Sequence, residues 1–371
     1  MMKKSKHPSL SEVAKRAGVG TTTVSRVING GHRVDPKTLA RVLDVIETLG
    51  YMPSQAARTL KGDRSGTIGL IVPSIVDPFF SSCAEVVQSI ARANDSLLIV
   101  ATTQNDPHAE VDDLNVLIRH RVDGLIIAPA NSQSKQLTDI LRRAAVPVVA
   151  IDRPLIHLPI PSVVADNFNG AYSATRHLID HHYKRIVCLT GETTLYSIRE
   201  RIHGYRKAVE SAGLACILDT SIKDYESAKY AIESLFARAD PPDAIFTLKN
   251  STTIYAFEAL EQLNIPVPDC VALLGYDDFE LAATVRPSIT VVQQPIEEIG
   301  RIAAELLFEQ LLSVHRFSWP TGSARPQQVK LATRLIRRRS CGCPQAEAKA
   351  ERSQQAGQRG SGRVLRSMQE R

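Results

Sequence analysis

The 371-residue sequence has no apolar run reaching the ~18 residues that a membrane-spanning helix requires. Its N-terminal lysines are not followed by an apolar core, which argues against a secretory signal. It contains no G-x-S-x-G elbow, no Walker glycine loop and no metal triad, so the usual supports for enzymatic catalysis are missing and no enzyme is expected. Cysteine is sparse, six residues in all. Cys83, Cys188, Cys216 and Cys270 are dispersed in apolar segments and read as small buried side chains in a reducing cytoplasm. Cys341 and Cys343 form a lone C-x-C beside Pro344, and with no second pair the spacing points away from zinc. His177 and His181 stand at i, i+4 but lack a third ligand nearby in sequence, so no metal or cofactor is expected.

The charge that is present is unevenly spread. Residues 1–63 hold 11 Lys/Arg against 5 Asp/Glu, residues 337–371 hold 9 against 3, and the stretch between holds 25 against 31. An acidic body with a basic head suits phosphate binding, because counterion release needs positive charge only where nucleic acid lies. A chain of this length exceeds one ordinary core and implies two or three domains.

The basic head reads as three short helices. SLSEVAKRAG, from Ser9 to Gly18, has Ser9 or Ser11 as cap, an apolar stripe of Leu10, Val13, Ala14 and Ala17, and a glycine on which to leave the helix. The next stretch, GVGTTTVSRVING, places Val24, Val27 and Ile28 on one helical face, with Thr21, Thr22, Thr23, Ser25 and Arg26 largely on the other. Taken alone, that polar face serves equally well as a solvated surface. A third helix is expected from about Pro36 to Leu49, capped by Asp35, with Leu39, Val42, Leu43 and Ile46 turned inward. A helix, a tight glycine-bearing turn and a second helix form the motif whose second helix enters the DNA major groove.

The motifs AKRAGV, TVSRVIN and LGYMPS resemble the DNA-binding headpiece and hinge of the LacI/GalR family of bacterial transcription regulators, and the similarity runs through about Arg339. The resemblance implies that Thr21, Thr22 and Arg26 reach base edges while Thr23, Ser25 and Asn29 hold phosphates. Arginine pairs bidentately with guanine, and threonine bonds a base or packs on a thymine methyl. Gly20 stands where the family commonly has a serine cap, a change worth only a few tenths of a kcal/mol. The same resemblance makes Pro53 to Gly62 a hinge helix in which Leu60 wedges into the minor groove, Ala57 packs closely and Lys61 lies near the backbone. A homodimer on a near-palindromic, double-stranded operator follows.

After the hinge, apolar β runs alternate with helical segments in two series, 67–166 and 185–278, which implies two doubly wound lobes. The fold class is α/β: an all-α helix-turn-helix headpiece and hinge helix, then two lobes of the periplasmic-binding-protein type. Expected boundaries are 1–52 for the headpiece, 53–64 for the hinge, 65–339 for the effector-binding body and 340–371 for a disordered basic tail. That tail lacks the leucine heptads of tetrameric relatives. Ligands in such sheets bind at the carboxyl ends of strands. The resemblance therefore implies effector contacts at Asp152, Arg199 and Asp277, with Ser74, Phe79 and Lys249 as further candidates.

Lys249-Asn250 replaces the Asn-Asp common in the family. If Lys249 converges with Arg199, an anionic effector such as a sugar acid or sugar phosphate completes the site; if it neutralises Asp277 or Asp152, a neutral sugar does. The alternative to a regulator is a solute-binding protein of the periplasmic sugar-binding class. It would share the body but not the basic helix-turn-helix.

Overall fold

The structure, a computed structural model, describes residues 8–28, 30, 34–52, 64–313 and 327–343. Asn29, the hinge residues Ala57, Leu60 and Lys61, and the tail beyond 343 lie outside the described residues. The chain divides into two compact units, Met1–Ser65 and Gly66–Arg371.

In the first unit, α1 (Leu10–Ala17) starts where the Ser9 hydroxyl accepts the Glu12 N–H at 3.2 Å, and ends at Gly18 with φ +66°. Helix α2 (Thr21–Ile28) follows directly. Helix α3 (Pro36–Leu49) begins with the Asp35 carboxylate accepting the Thr38 N–H at 3.1 Å. Val13, Ala14, Ala17, Val24, Val27, Val42 and Val45 are buried together, with Leu39 and Ile46 packed against them. Leu43 departs from the expected inward stripe and is 50% exposed. At 100° per residue Val42, Val45, Ile46 and Leu49 share a face, and Leu43 turns off it.

The second unit holds two six-stranded sheets. The first lobe comprises β1 (Thr67–Val72), β2 (Leu97–Thr102), β3 (Gly124–Ile127), β4 (Val148–Ile151), β5 (Ser162–Ala165) and β11 (Gln328–Leu331), in the order β11-β5-β4-β3-β1-β2. The second repeats the plan with β6 (Ile186–Leu189), β7 (Ile217–Asp219), β8 (Ala244–Thr247), β9 (Ala272–Tyr276), β10 (Thr290–Gln293) and β12 (Arg334–Ile336), ordered β12-β10-β9-β8-β6-β7. Among the described residues only the β10–β12 pairing is antiparallel. Strand β1 shows why the runs are apolar throughout. Ile68, Leu70 and Val72 enter one core and Ile71 the core on the opposite face, as a sheet covered on both sides demands.

The first-lobe helices are α4 (Pro78–Ala93), α5 (Pro107–Arg119) and α6 (Lys135–Ala144). In the second lobe α7 (Asn167–Asp180) packs on α8 (Tyr196–Ser211), and α9 (Tyr225–Phe236) packs on α10 (Asn250–Gln262). Helix α11 (Ile296–Ser313) returns to the first lobe against α4. It buries Ile299, Ala303, Ala304, Leu307 and Leu311, at about 1.5–3 kcal/mol for each large side chain. The chain thus passes between lobes three times: after β5, after β10, and between β11 and β12. None of the described helices is long and apolar enough to cross a membrane.

Three sequence expectations change here. Cys83 and Cys188 are buried, but Cys216 before the edge strand β7 and Cys270 in the loop before β9 are exposed. Packing continues past residue 339: Ser340, Cys341 and Cys343 are buried, and the Ser340 hydroxyl accepts the Thr290 N–H at 2.9 Å. Finally, the His177–His181 pair and the C-x-C motif, remote in sequence, meet in space.

Candidate functional site

The carboxyl ends of both sheets face a cleft of about 530 Å³ between the lobes, within the range of small-molecule sites. Asp152 and Asp277 occupy equivalent places, each one residue beyond the fourth strand of its lobe. Both adopt left-handed backbone, φ +61° and +71°, rarely taken by non-glycine residues. Each is held there in the same way, its N–H donating to the neighbouring strand, at Val163 and Val292 respectively. Strained backbone at matched positions marks a constrained site.

Each aspartate has an arginine. Arg153 Nε donates to Asp152 Oδ2 at 2.8 Å. Arg201, one face along α8, donates to Asp277 at 3.0 and 3.4 Å, to Asn167 Oδ1 at 2.8 Å and to the Leu248 carbonyl at 2.7 Å. Its guanidinium lies 3.7 Å from the centre of the Tyr276 ring. Burial pushes the Asp277 carboxyl above its ordinary range, against the pull of Arg201. Gln294 donates to Asp277 at 2.5 Å, while its own buried Oε1 has no hydrogen-bond partner. Since Asn167 and Gln294 sit at the first and second lobe crossings, this network joins the cleft to the connections between lobes. Across the cleft, Asn105 Nδ2 donates to Glu192 Oε2 at 3.3 Å and the Ser197 hydroxyl reaches Asp152 at 3.5 Å.

Ser74, Phe79, Asp152, Lys249 and Asp277 all line the cleft. Arg199 does not; Arg201 does. The reason is helical: Ser197 and Arg201 are four residues apart on the buried face of α8, and Arg199 is turned about 200° from that face's start. The buried periodicity Ser197, Ile198, Arg201, Ile202, Tyr205 was the available signal. Arg153 and Gln294 were also missed, since neither belongs to a motif.

Two helix starts on the cleft lack a side-chain cap. Helices α4, α5, α6, α7 and α9 are each capped by an Asp or Ser side chain accepting a backbone N–H. Helices α8 and α10 start at Leu195 and Lys249 with no side-chain cap. In α10 the Asn250 side chain accepts the Ser251 N–H at 2.7 Å. Helix starts carry partial positive charge and unsatisfied donors. Lys249 also lines an adjoining hollow of about 370 Å³.

Within electrostatic reach of Arg153, Glu110 on α5 is fully buried, with Oε1 accepting the Ala130 N–H at 2.8 Å and Oε2 without a hydrogen-bond partner. Burial raises its pKa from an ordinary 4.5 to about 7. The fold therefore prefers the protonated form. The associated stability is fully present below 4.5 and is lost as pH rises to about 7. Glu110→Gln should raise the melting temperature at pH 8 and change it little near pH 4.5. Thermal unfolding at both pH values checks this, and equal shifts at the two would contradict it.

On the headpiece, Thr21, Thr22 and Arg26 are exposed along α2, and Thr23 and Ser25 are half-buried.

The geometry on both units defines a class: a helix-turn-helix unit joined to a two-lobed binding body. Comparison with known proteins agrees. Residues 9–54 match the family "Bacterial regulatory proteins, lacI family", and residues 65–339 match "Periplasmic binding proteins and sugar binding domain of LacI family". The HTH-type transcriptional repressor PurR of Aliivibrio salmonicida is 31% identical over 310 residues, 83% of this chain and 93% of that protein. The ribose operon repressor of Escherichia coli K12 is 31% identical over 336 residues, 90% and 99% of the two chains. A solved "transcriptional regulator CelR-cellobiose complex" is 30% identical, with a TM-score of 0.65, covering 90% of this chain and 99% of that one. The chain belongs to the LacI family. It is a DNA-binding, ligand-responsive transcriptional regulator of the repressor type, as the PurR and ribose operon relatives are named.

Proposed function

We propose that this regulator binds near-palindromic operator DNA as a homodimer in the cytoplasm, and that an anionic sugar-type molecule, a sugar acid or sugar phosphate, controls it from the cleft. The observation that carries the effector class is Lys249. It stands at the uncapped start of α10, lines the cleft, and has no carboxylate partner among the described residues. The carboxylates that a neutral-sugar reading assigns to it, Asp277 and Asp152, are engaged by Arg201 and Arg153 instead. A cleft that holds a cation without a carboxylate partner at a helix start lacking an N-cap side-chain hydrogen bond favours an anion. The unpartnered Gln294 Oε1 and the paired carboxylate edges suit sugar hydroxyls. A sugar ligand also agrees with the cellobiose complex of the solved relative.

An effector can alter DNA affinity only by favouring one lobe arrangement. The cross-cleft contacts Asn105–Glu192 and Ser197–Asp152 are those an occupant would strengthen or break. For dimerisation, Leu97 and Val100 are 58% and 39% exposed on opposite faces of the edge strand β2, an edge suited to a second copy. Arg26, by resemblance, reads a base. Arg26→Ala is expected to relax discrimination at one base pair per half-site by roughly 1–3 kcal/mol. A uniform loss across all duplex variants would make it a phosphate contact.

Calorimetry with an aldose and its matched aldonic acid tests the effector class. The acid is expected to bind at least tenfold tighter, and Lys249→Met to abolish that preference. Tighter binding of the aldose, or an unaltered acid preference in Lys249→Met, would contradict the proposal.

A further inference from the structure

Four metal-binding side chains from two distant stretches meet at the end of α7. His177 and His181 project from successive turns of that helix, and Cys341 and Cys343 follow β12, where the chain enters the second lobe for the last time. His177 Nε2 lies 3.3 Å from Cys341 Sγ and 3.5 Å from Cys343 Sγ. His181 Nε2 lies 3.4 Å from Cys343 Sγ, and the two sulfurs are 3.3 Å apart. We infer that these four residues form a closed, structural Zn²⁺ site.

The distances carry the inference. A tetrahedral zinc bound by two thiolates and two imidazoles has edges of about 3.8 Å (S···S), about 3.6 Å (N···S) and about 3.3 Å (N···N). These separations, four of the six edges, fall within about 0.5 Å of those values. The ligand atoms of His177, His181 and Cys343 lie within 4.8 Å of one another, and Cys341, in contact with His177 and Cys343, would complete the set by closing on His181 as the ion binds. The sulfur pair is far beyond the ~2.05 Å of a disulfide. Ordinary core packing gives no reason for two imidazole nitrogens to be aimed at two sulfurs.

The surroundings fit thiolate ligands. Thr290 accepts the Arg338 N–H at 2.8 Å, so its own hydroxyl proton is directed to Cys341 Sγ, 3.0 Å away. Such outer hydrogen bonds orient metal ligands and tune them. Gly342 takes φ +82°, and a Cβ there would stand 2.8 Å from the Tyr183 hydroxyl. Glycine thus permits the turn that brings both thiols to one side. The Tyr183 hydroxyl donates to the Cys341 carbonyl at 3.3 Å, and its ring stacks beside His181. Both cysteines are buried and both histidines half-buried, leaving a path for an ion on the histidine side. Soft sulfur with imidazole, four ligands and no carboxylate among them select Zn²⁺ over hard cations. A fully ligated ion of this kind acts in folding. Here it would staple residues 340–343, beyond the third lobe crossing, to the helix that begins at the first.

The full-length protein tests this with Zn²⁺ and Co²⁺ alone. Protein equilibrated with Zn²⁺ and then passed into metal-free buffer is expected to retain one ion per chain. Chelation should lower its melting temperature and added Zn²⁺ restore it. Co²⁺ added to the metal-free protein should saturate at one equivalent, with the intense visible bands of a tetrahedral ion and thiolate-to-cobalt charge transfer in the near ultraviolet. The Cys341→Ser/Cys343→Ser variant should lose that charge transfer, and His181→Gln should alter the visible bands even if the double variant fails to fold. Absence of retained zinc with an octahedral Co²⁺ spectrum would overturn the inference. So would an unchanged spectrum in both variants, or a Cys341–Cys343 disulfide found by thiol counting in freshly isolated protein.

Discussion

Arg201→Met is expected to abolish effector binding and to cost the body about 3–5 kcal/mol of stability, the penalty for stranding a buried charge. The Arg201 and Asp277 side chains are 4% and 13% exposed. Without the guanidinium, the Asp277 carboxylate keeps only the Gln294 donor, and Asn167 Oδ1 and the Leu248 carbonyl lose theirs. A second change separates stability from binding. Adding Asp277→Asn removes the stranded charge, so the double variant should regain much of the lost stability without regaining effector affinity. Thermal unfolding and calorimetry on the three proteins check this. A single variant as stable as the parent would mean the pair is not buried as described.

Gly204→Ala is expected to destabilise the body by roughly 1–3 kcal/mol, because a new methyl would be forced into a packed interface. A Cβ at Gly204 would lie 2.2 Å from the Phe168 carbonyl oxygen and 2.9 Å from the Tyr172 nitrogen. Those atoms are backbone of α7, so no side chain can rotate aside and the two helices must separate. Alanine would gain about 0.5–1 kcal/mol in helix propensity, too little to offset the clash. Because Arg201 lies one turn away on α8, effector affinity should fall as well. Urea denaturation should show a lower midpoint with an unchanged slope. A raised midpoint would mean that α7 and α8 are not in such close contact.

Most of the fold was legible because its signals are local. Ser9, Gly18 and Asp35 cap and end the headpiece helices where their chemistry predicts. The strands of both lobes are apolar runs because both sheet faces are covered. The site was legible only where a residue ends a strand, as Asp152 and Asp277 do. Arg199 and Arg201 are alike in composition, and only the phase of α8 separates them. Leu43 shows the same limit on α3, where Val45, two residues on, takes its place in the core. Pairings across the fold left no trace in spacing. Arg153 on Asp152, Gln294 on Asp277, and the two histidines on the C-x-C motif each join residues that periodicity cannot relate.

The most direct test of the account is fluorescence anisotropy of a near-palindromic duplex, selected by this protein from a random pool, titrated with an aldose and its matched aldonic acid or sugar phosphate. The account predicts tight binding by the parent and a change in DNA affinity of about fivefold or more with the anionic sugar alone, a coupling of roughly 1 kcal/mol. It further predicts that Arg201→Met binds the duplex but ignores the ligand. An equal response to the neutral sugar, or a response retained in Arg201→Met, would contradict it.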